Sequence, residues 1–313
     1  MLRVRWWWIG AALFVVIAIA LGWSWFSGPF WLGPEGRYFD SNGVSIHYTD
    51  EGKGEPVVLV HGFAATGQLN WRFTGVVDEL AKQFRVIAID VRGHGRSGKP
   101  TDAGAYGVEM GEDVIRLLDH LGIQRAHVAG YSMGGFITLH LLTRHPERIL
   151  RAAVCGFGWQ RPDPSALNVY DLLGNAFDHG FGFSAMASFV NPGAGIGPVR
   201  AALTDLIAGQ LLDRRAMAAV ARSLKGLTVT EAALRAVNVP VLSVIGTADP
   251  LLPGVQALTD VLPHHEIVLI EGGTHRYTPR DPRFRTALRR WFSGEDPVRP
   301  SASGDVPEPA VGP

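Results

Sequence analysis

The segment Gly130-Tyr131-Ser132-Met133-Gly134 follows an apolar, strand-like run at 126–130 and precedes a helix-like run at 135–145. Strand, sharp turn and helix therefore succeed one another with no room for a longer loop. Such a turn forces its middle residue into a backbone conformation that is strained for any side chain and needs small neighbours. The two flanking glycines supply that space. The outcome is a serine hydroxyl held clear of the backbone at the end of a strand, a geometry that a buried structural serine does not need.

The same rhythm extends on both sides. Apolar runs at 57–60, 85–90, 126–130 and 149–155 are interleaved with helix-like runs at about 70–84, 107–121 and 135–145. An opening hairpin at 37–50 turns at Asn42-Gly43. Two further strand-like runs follow at 241–245 and 266–270, then an amphipathic run at 281–292. This alternation predicts an α/β fold, a mostly parallel central sheet with flanking helices. The rhythm stops after Cys155 and resumes at Val241. The intervening 158–229 carries apolar residues at helical spacing at 201–212 and 216–224, a Gly/Phe-rich part at 177–189 and a flexible Asn191-to-Gly197 stretch. It is predicted to be an inserted helical cap that excludes water from the nucleophile and shapes its pocket. Trp159, Phe177, Phe181, Phe183, Met186 and Phe189 there either line an apolar acyl pocket or pack the cap onto the sheet. The expected organisation is a membrane anchor and linker at 1–36, a core at 37–157 and 230–292, the cap at 158–229, and a Pro/Gly/Ser-rich disordered tail at 293–313.

A serine hydroxyl needs a base to accept its proton and an acid to orient that base. Chemistry in an open parallel sheet gathers beyond the carboxyl ends of its strands. Asp249 lies in the loop after 241–245, and His275 in the glycine loop after 266–270. Ser132, Asp249 and His275 thus form the expected triad. Of the eleven histidines, His264 and His265 compete with His275 from a turn before a strand, while His120, His140 and His145 fall on helix-like runs. Asp260, inside a helix-like run, is the weaker alternative acid. An oxyanion hole is also required. The backbone N–H groups of Phe63, in His61-Gly62-Phe63 after a strand, and of Met133 are the expected donors, the latter aided by the helix dipole.

With these residues in place the chain resembles the α/β-hydrolases, in particular the cap-bearing esterase, lipase and epoxide-hydrolase-like group. The resemblance runs from about Arg37 to Phe292 and rests on His61-Gly62-Phe63, Asp90-Val-Arg-Gly-His-Gly-Arg-Ser97, Gly-Tyr-Ser-Met-Gly134, Gly-Thr-Ala-Asp249 and Gly-Gly-Thr-His275. It implies the same roles for Ser132, Asp249, His275, Phe63 and Met133, and a structural loop at 90–97 in which Arg92 and Arg96 act as braces. A serine nucleophile departs from the haloalkane dehalogenases and epoxide hydrolases of that group, which need a carboxylate. Acyl transfer to water remains: a carboxylesterase or lipase-like hydrolase acting on a hydrophobic ester. Cleavage of a C–C bond, lactone or amide, or cofactor-free perhydrolysis, would use the same triad, and a non-catalytic binding protein is the alternative outside catalysis.

Composition narrows the partners. Across 313 residues the formal net charge is zero, which gives no footprint for nucleic acid. The single cysteine, Cys155, has no partner within the chain for a disulfide and is expected to be a small buried hydrophobe. No metal-ligand spacing or nucleotide-binding loop occurs, so no cofactor is expected. Residues 6–26 form an apolar run interrupted only by Ser24 and glycines, preceded by Arg3 and Arg5 and bounded by Trp6, Trp7, Trp8 and by Trp23 and Trp25. That length and those aromatic belts predict a transmembrane helix. The arginines place its N-terminus in the cytoplasm and the hydrolase outside. A cleaved signal ending near Ala18-Ile19-Ala20 is the alternative.

Overall fold

The computed structural model describes residues 35–163, 167–190 and 197–297. Eight strands form one sheet: β1 (Arg37–Ser41), β2 (Val44–Gly52), β3 (Glu55–Val60), β4 (Phe84–Ile89), β5 (Ala126–Tyr131), β6 (Ile149–Cys155), β7 (Val241–Gly246) and β8 (His265–Ile270), in the order β1-β2-β4-β3-β5-β6-β7-β8. Only β2 runs antiparallel, to both β1 and β4; the remaining pairs are parallel. The hairpin turn expected at Asn42-Gly43 is present, with both residues at positive φ. Along β5 and β7 every residue is buried, as befits central strands covered on both faces.

Alternate residues of each strand feed two separate cores. Val58, Val60, Ile87, Ile89, Val128 and Val154 face the side carrying α2 (Val108–His120) and α3 (Met133–Arg144). Val57, Leu59, Val86, Ala88, Ala129 and Ala153 face α1 (Val76–Leu80) and the final long helix. That helix, here α10 (Pro282–Phe292), shows how local sequence sets an element. Asp281 caps it by accepting from the Arg283 N–H at 2.8 Å, and Pro282 occupies its first position. Phe284, Ala287, Leu288, Trp291 and Phe292 then bury one stripe at helical spacing.

One expected helix differs. The run at about 70–84 divides into a single wide turn at Gln68–Arg72 and the short α1. Gly75 between them has φ 75, a left-handed conformation that ends one helical segment and starts the next. Among the described residues between β6 and β7 the chain makes five α-helices, of which the first four are α4 (Asn168–Asp178), α5 (Gly182–Val190), α6 (Pro198–Leu211) and α7 (Arg214–Ser223). α7 is the buried one, with Ala216 to Ala221 all in the core, and α4 packs against it. α8 (Glu231–Arg235) leads back to the sheet, and α9 (Leu252–Thr259) joins β7 to β8. Among the described residues no helix is long and apolar enough to cross a membrane. The predicted anchor at 6–26, the stretch 191–196 and the tail from 298 onward lie outside the described residues.

Candidate active site

Ser132 stands between the last residue of β5 and the first of α3, at φ 55 and ψ −116. Its N–H donates to the Cys155 carbonyl at 2.8 Å, which anchors the strained residue to the neighbouring strand. Both motif glycines are sterically required. A Cβ on Gly130 would sit 2.0 Å from the Gly134 carbonyl oxygen, and one on Gly134 would sit 2.0 Å from that of Val60. The turn is therefore folded tightly enough that the serine points outward above the end of β5.

Two loops bring its partners. Gly246, closing β7, lies so near the loop after β8 that an added Cβ would fall 2.0 Å from the Gly273 oxygen. The Ala248 N–H donates to that same oxygen at 2.9 Å. The two loops thus touch, and Asp249 meets His275: Oδ2 to Nδ1 is 2.9 Å. His275 Nε2 lies 3.0 Å from Ser132 Oγ. The other Asp249 oxygen accepts from the Leu251 N–H at 3.0 Å. Asp249 and His275 are both buried. The tautomer that satisfies both bonds puts the ring proton on Nδ1, toward Asp249, and leaves Nε2 to accept from the serine. Tyr131 supports the base, its hydroxyl donating to the His275 carbonyl. Burial pushes the Tyr131 phenol far above its ordinary range, so it stays a proton donor.

The loop after β3 faces the serine from the other side. A Cβ on Gly62 would approach the Ser132 Cβ to 3.2 Å. Asn70 Oδ1 accepts from the Gly62 N–H at 2.7 Å. The His61 ring ties down the same loop: Nδ1 donates to the Gly62 carbonyl at 2.8 Å, and Nε2 accepts from the Val91 N–H at 3.0 Å. Among the described residues, no acceptor meets the N–H of Phe63 or of Met133. Met133 also opens α3, whose dipole favours negative charge there. Burial lowers the His61 imidazole, and burial together with the nearby His61 lowers His94 to about 3, so both rings beneath this loop are neutral near pH 7.

The loop at 90–97 is a brace. Burial alone would raise the Asp90 carboxyl, but the His47 hydrogen bond and the N–H groups of Arg96 and Gly67 outweigh it and hold the group below its usual range. Arg92 is buried and forks onto Asp113 at 2.7 and 2.6 Å. The competing histidines are elsewhere. His265 opens β8 at the end opposite His275 and bonds Ser243 Oγ at 2.9 Å; His145 pairs with Glu112 at 2.9 Å; His120 stacks on Phe39. Asp260 merely follows the C-terminus of α9. Of the six apolar side chains named in the inserted segment, Phe177 touches the site's surroundings: its ring lies 5.5 Å from Phe63, with Phe183 edge-on to it at 4.9 Å. Trp159 is buried and donates to the Val229 carbonyl, whereas Phe181 and Phe189 are exposed. Asn70, Tyr131 and the His61 ring were not singled out by the sequence. Asn70 falls in a helix-like run with nothing to distinguish it, and Tyr131 occupies an unrestricted position of its motif. Among the described residues no cluster of His, Cys, Asp or Glu is arranged to hold a metal ion.

The chain belongs to the α/β-hydrolase fold family, whose model matches residues 55–276. It is 40% identical over 124 residues to the 2-hydroxymuconate semialdehyde hydrolase of Pseudomonas sp. strain CF600, covering 39% of this chain and 43% of that one. It is 34% identical over 142 residues to haloalkane dehalogenase 2 of Mycobacterium bovis, covering 44% and 48%. The chain spans between a quarter and a half of the length of the curated relatives it matches. Among solved structures it resembles the enol-lactonase of Burkholderia xenovorans LB400, with a TM-score of 0.66, 25% identity, and coverage of 82% of this chain and all of that one.

Proposed function

We propose that this chain is a serine hydrolase that cleaves esters of hydrophobic carboxylic acids through an acyl-enzyme. The observation that carries the reading is the unbroken line of hydrogen bonds from Asp249 through His275 to Ser132, at 2.9 and 3.0 Å. In the first half-reaction His275 Nε2 accepts the hydroxyl proton while Ser132 Oγ bonds to the ester carbonyl carbon. The carbonyl oxygen takes the displaced electron pair and is met by the N–H groups of Phe63 and Met133, one such donor being worth about 3 kcal/mol in the transition state. His275 passes the proton to the departing alkoxide, the C–O bond breaks, and the acyl group stays on Ser132. Water then attacks by the same path and frees the acid. Asp249 holds the ring and stabilises the imidazolium formed in each half. No metal or cofactor enters this chemistry. The Phe63, Phe177 and Phe183 cluster beside the loop supports an apolar acyl group.

The sequence run at 6–26 supports a membrane-anchored protein with its hydrolase domain outside the cytoplasm; protease digestion of intact and opened cells checks that orientation. A second reading, hydrolysis of a C–C bond by the same three residues, is favoured by the similarity to the semialdehyde hydrolase. The deciding experiment is turnover of p-nitrophenyl esters of increasing acyl length by the native protein and Ser132→Ala, with fluorophosphonate labelling alongside. Ester turnover and labelling that both vanish in the variant are expected. Labelling without ester turnover would transfer the assignment to the second reading, and absence of both would overturn a hydrolase altogether.

A further inference from the structure

α6 is out of keeping with the rest of the fold. None of its fourteen residues is buried, and its main neighbour is α5. Its outward side is nevertheless apolar. Val199, Leu203, Leu206, Ile207 and Leu211 repeat at helical spacing and are between 45% and 74% exposed. The one carboxylate on the helix, Asp205, does not share that side: it turns back to accept from the Ser184 N–H at 2.9 Å. Exposed cations flank the stripe, with Arg200 in its first turn and Arg214 and Arg215 just beyond its end. The only exposed acid among them, Asp213, is engaged in capping α7. Phe189, also exposed, closes the end of α5. A contiguous apolar surface of this kind normally marks a binding face.

Where the chain enters the domain indicates what covers it. β1 begins level with the carboxyl end of the parallel strands: Arg37 pairs with Tyr48, and Tyr48 pairs with Ile89, the last residue of β4. Ser132, Asp249 and His275 lie beyond that same end, and the helices inserted after β6 reach it through the contact of Phe177 with Phe63. The apolar run at 6–26 is joined to this end by residues 27–36, which span at most about 35 Å fully extended. A chain held in a bilayer by that run would keep its active-site end, and α6 with it, close to the lipid surface.

We infer that the outward face of α6 docks into a lipid bilayer, its apolar stripe entering the acyl boundary while Arg200, Arg214 and Arg215 meet anionic headgroups. The docked face holds the active-site end against the membrane, so that a lipid-borne ester has only a short path to Ser132. The docking itself is independent of the hydrolase reading; only the supply of substrate rests on it.

The test uses the full chain reconstituted in phosphatidylcholine vesicles with and without phosphatidylglycerol. Cys155 is fully buried, so an environment-sensitive fluorophore can be placed selectively at Leu206→Cys, or at Lys82→Cys on the opposite end of the sheet. Quenching of the label at 206 by lipid-borne nitroxide, stronger with phosphatidylglycerol, and none at 82 is expected. A label at 206 that remains open to aqueous iodide would overturn the proposal. One shielded from iodide yet not quenched from the lipid would also overturn it, because a second copy or the 6–26 segment would then cover the face. A Leu206→Asp/Ile207→Asp variant should lower turnover of a vesicle-borne ester by about tenfold for each lost contact and leave turnover of a short soluble ester unchanged. Equal loss on both substrates would overturn substrate delivery. Loss of soluble-ester activity in the native protein, with the quenching intact, would reject the hydrolase reading and leave the docking in place.

Discussion

Asn70 makes one bond that matters, to the Gly62 N–H, and through it fixes the direction in which the next N–H, that of Phe63, points. Its replacement by alanine should leave Ser132 and His275 in contact while the oxyanion loop drifts. We expect kcat to fall about tenfold with KM nearly unchanged, less than the hundred- to thousandfold cost of deleting a donor outright. The rate of phosphonylation of Ser132 should fall in parallel, whereas a purely structural role would lower the melting temperature and spare both rates. Tyr131→Phe acts on the base instead, since it removes the hydroxyl that holds the His275 carbonyl. Ser132, Asp249 and His275 are all legible in the sequence because each follows a strand and a glycine, a local pattern. Asn70 and Tyr131 are not, because their partners are backbone atoms 8 and 144 positions away, which no local pattern encodes.

At the level of elements, most boundaries follow from apolar periodicity, and the exceptions have local causes. The run at 70–84 has helical composition, yet Gly75 at φ 75 breaks it, and a glycine inside an apolar pattern does not announce which backbone conformation it will take. Periodicity also indicated α6 without revealing that its apolar side is left outward, since the pattern specifies a stripe and not what covers it. Contact between the β7 and β8 loops is a further property of packing. It depends on Gly246, where a Cβ would collide with the Gly273 backbone. Gly246→Ala must push the loops apart, and a displacement of about 1 Å between Asp249 and His275 costs on the order of a hundredfold in rate. Ester turnover should fall by that factor, with a loss of about 1–3 kcal/mol in urea unfolding from overpacking. Gly226→Ala, at a position with open space around its Cβ, serves as the control and should change neither.

Across the whole molecule, the buried titratable groups should make the fold acid-labile in a defined window. Burial lowers His61, lowers His265 to about 4 and, with the neighbouring His61, lowers His94 to about 3, whereas an unfolded histidine titrates near 6.5. Above about pH 6.5 these rings are neutral in both states and stability does not depend on them. Below it the unfolded chain binds protons that the folded chain refuses, so stability falls with pH, by about 1.4 kcal/mol per pH unit for each proton taken up. His265 stops contributing below about 4 and His94 below about 3. Asp90 acts in the same direction at the acid end, because its folded carboxyl titrates below its unfolded value and its stabilisation is lost as pH drops through the folded one. The urea midpoint should therefore be flat from pH 8 to 7 and fall from about pH 6.5 downward. A midpoint unchanged between neutral pH and pH 5 would refute this account. His265→Gln separates the contributions: among the described residues its ring bonds only Ser243 and Thr259, and it lies away from the active-site end. That variant should flatten the fall by about one proton's worth and leave ester turnover at pH 7 unaltered. The remaining slope belongs to His61 and His94 beneath the oxyanion loop together with His127 and His140, whose rings burial also lowers, so it reports the folded core as a whole and not the active-site end alone.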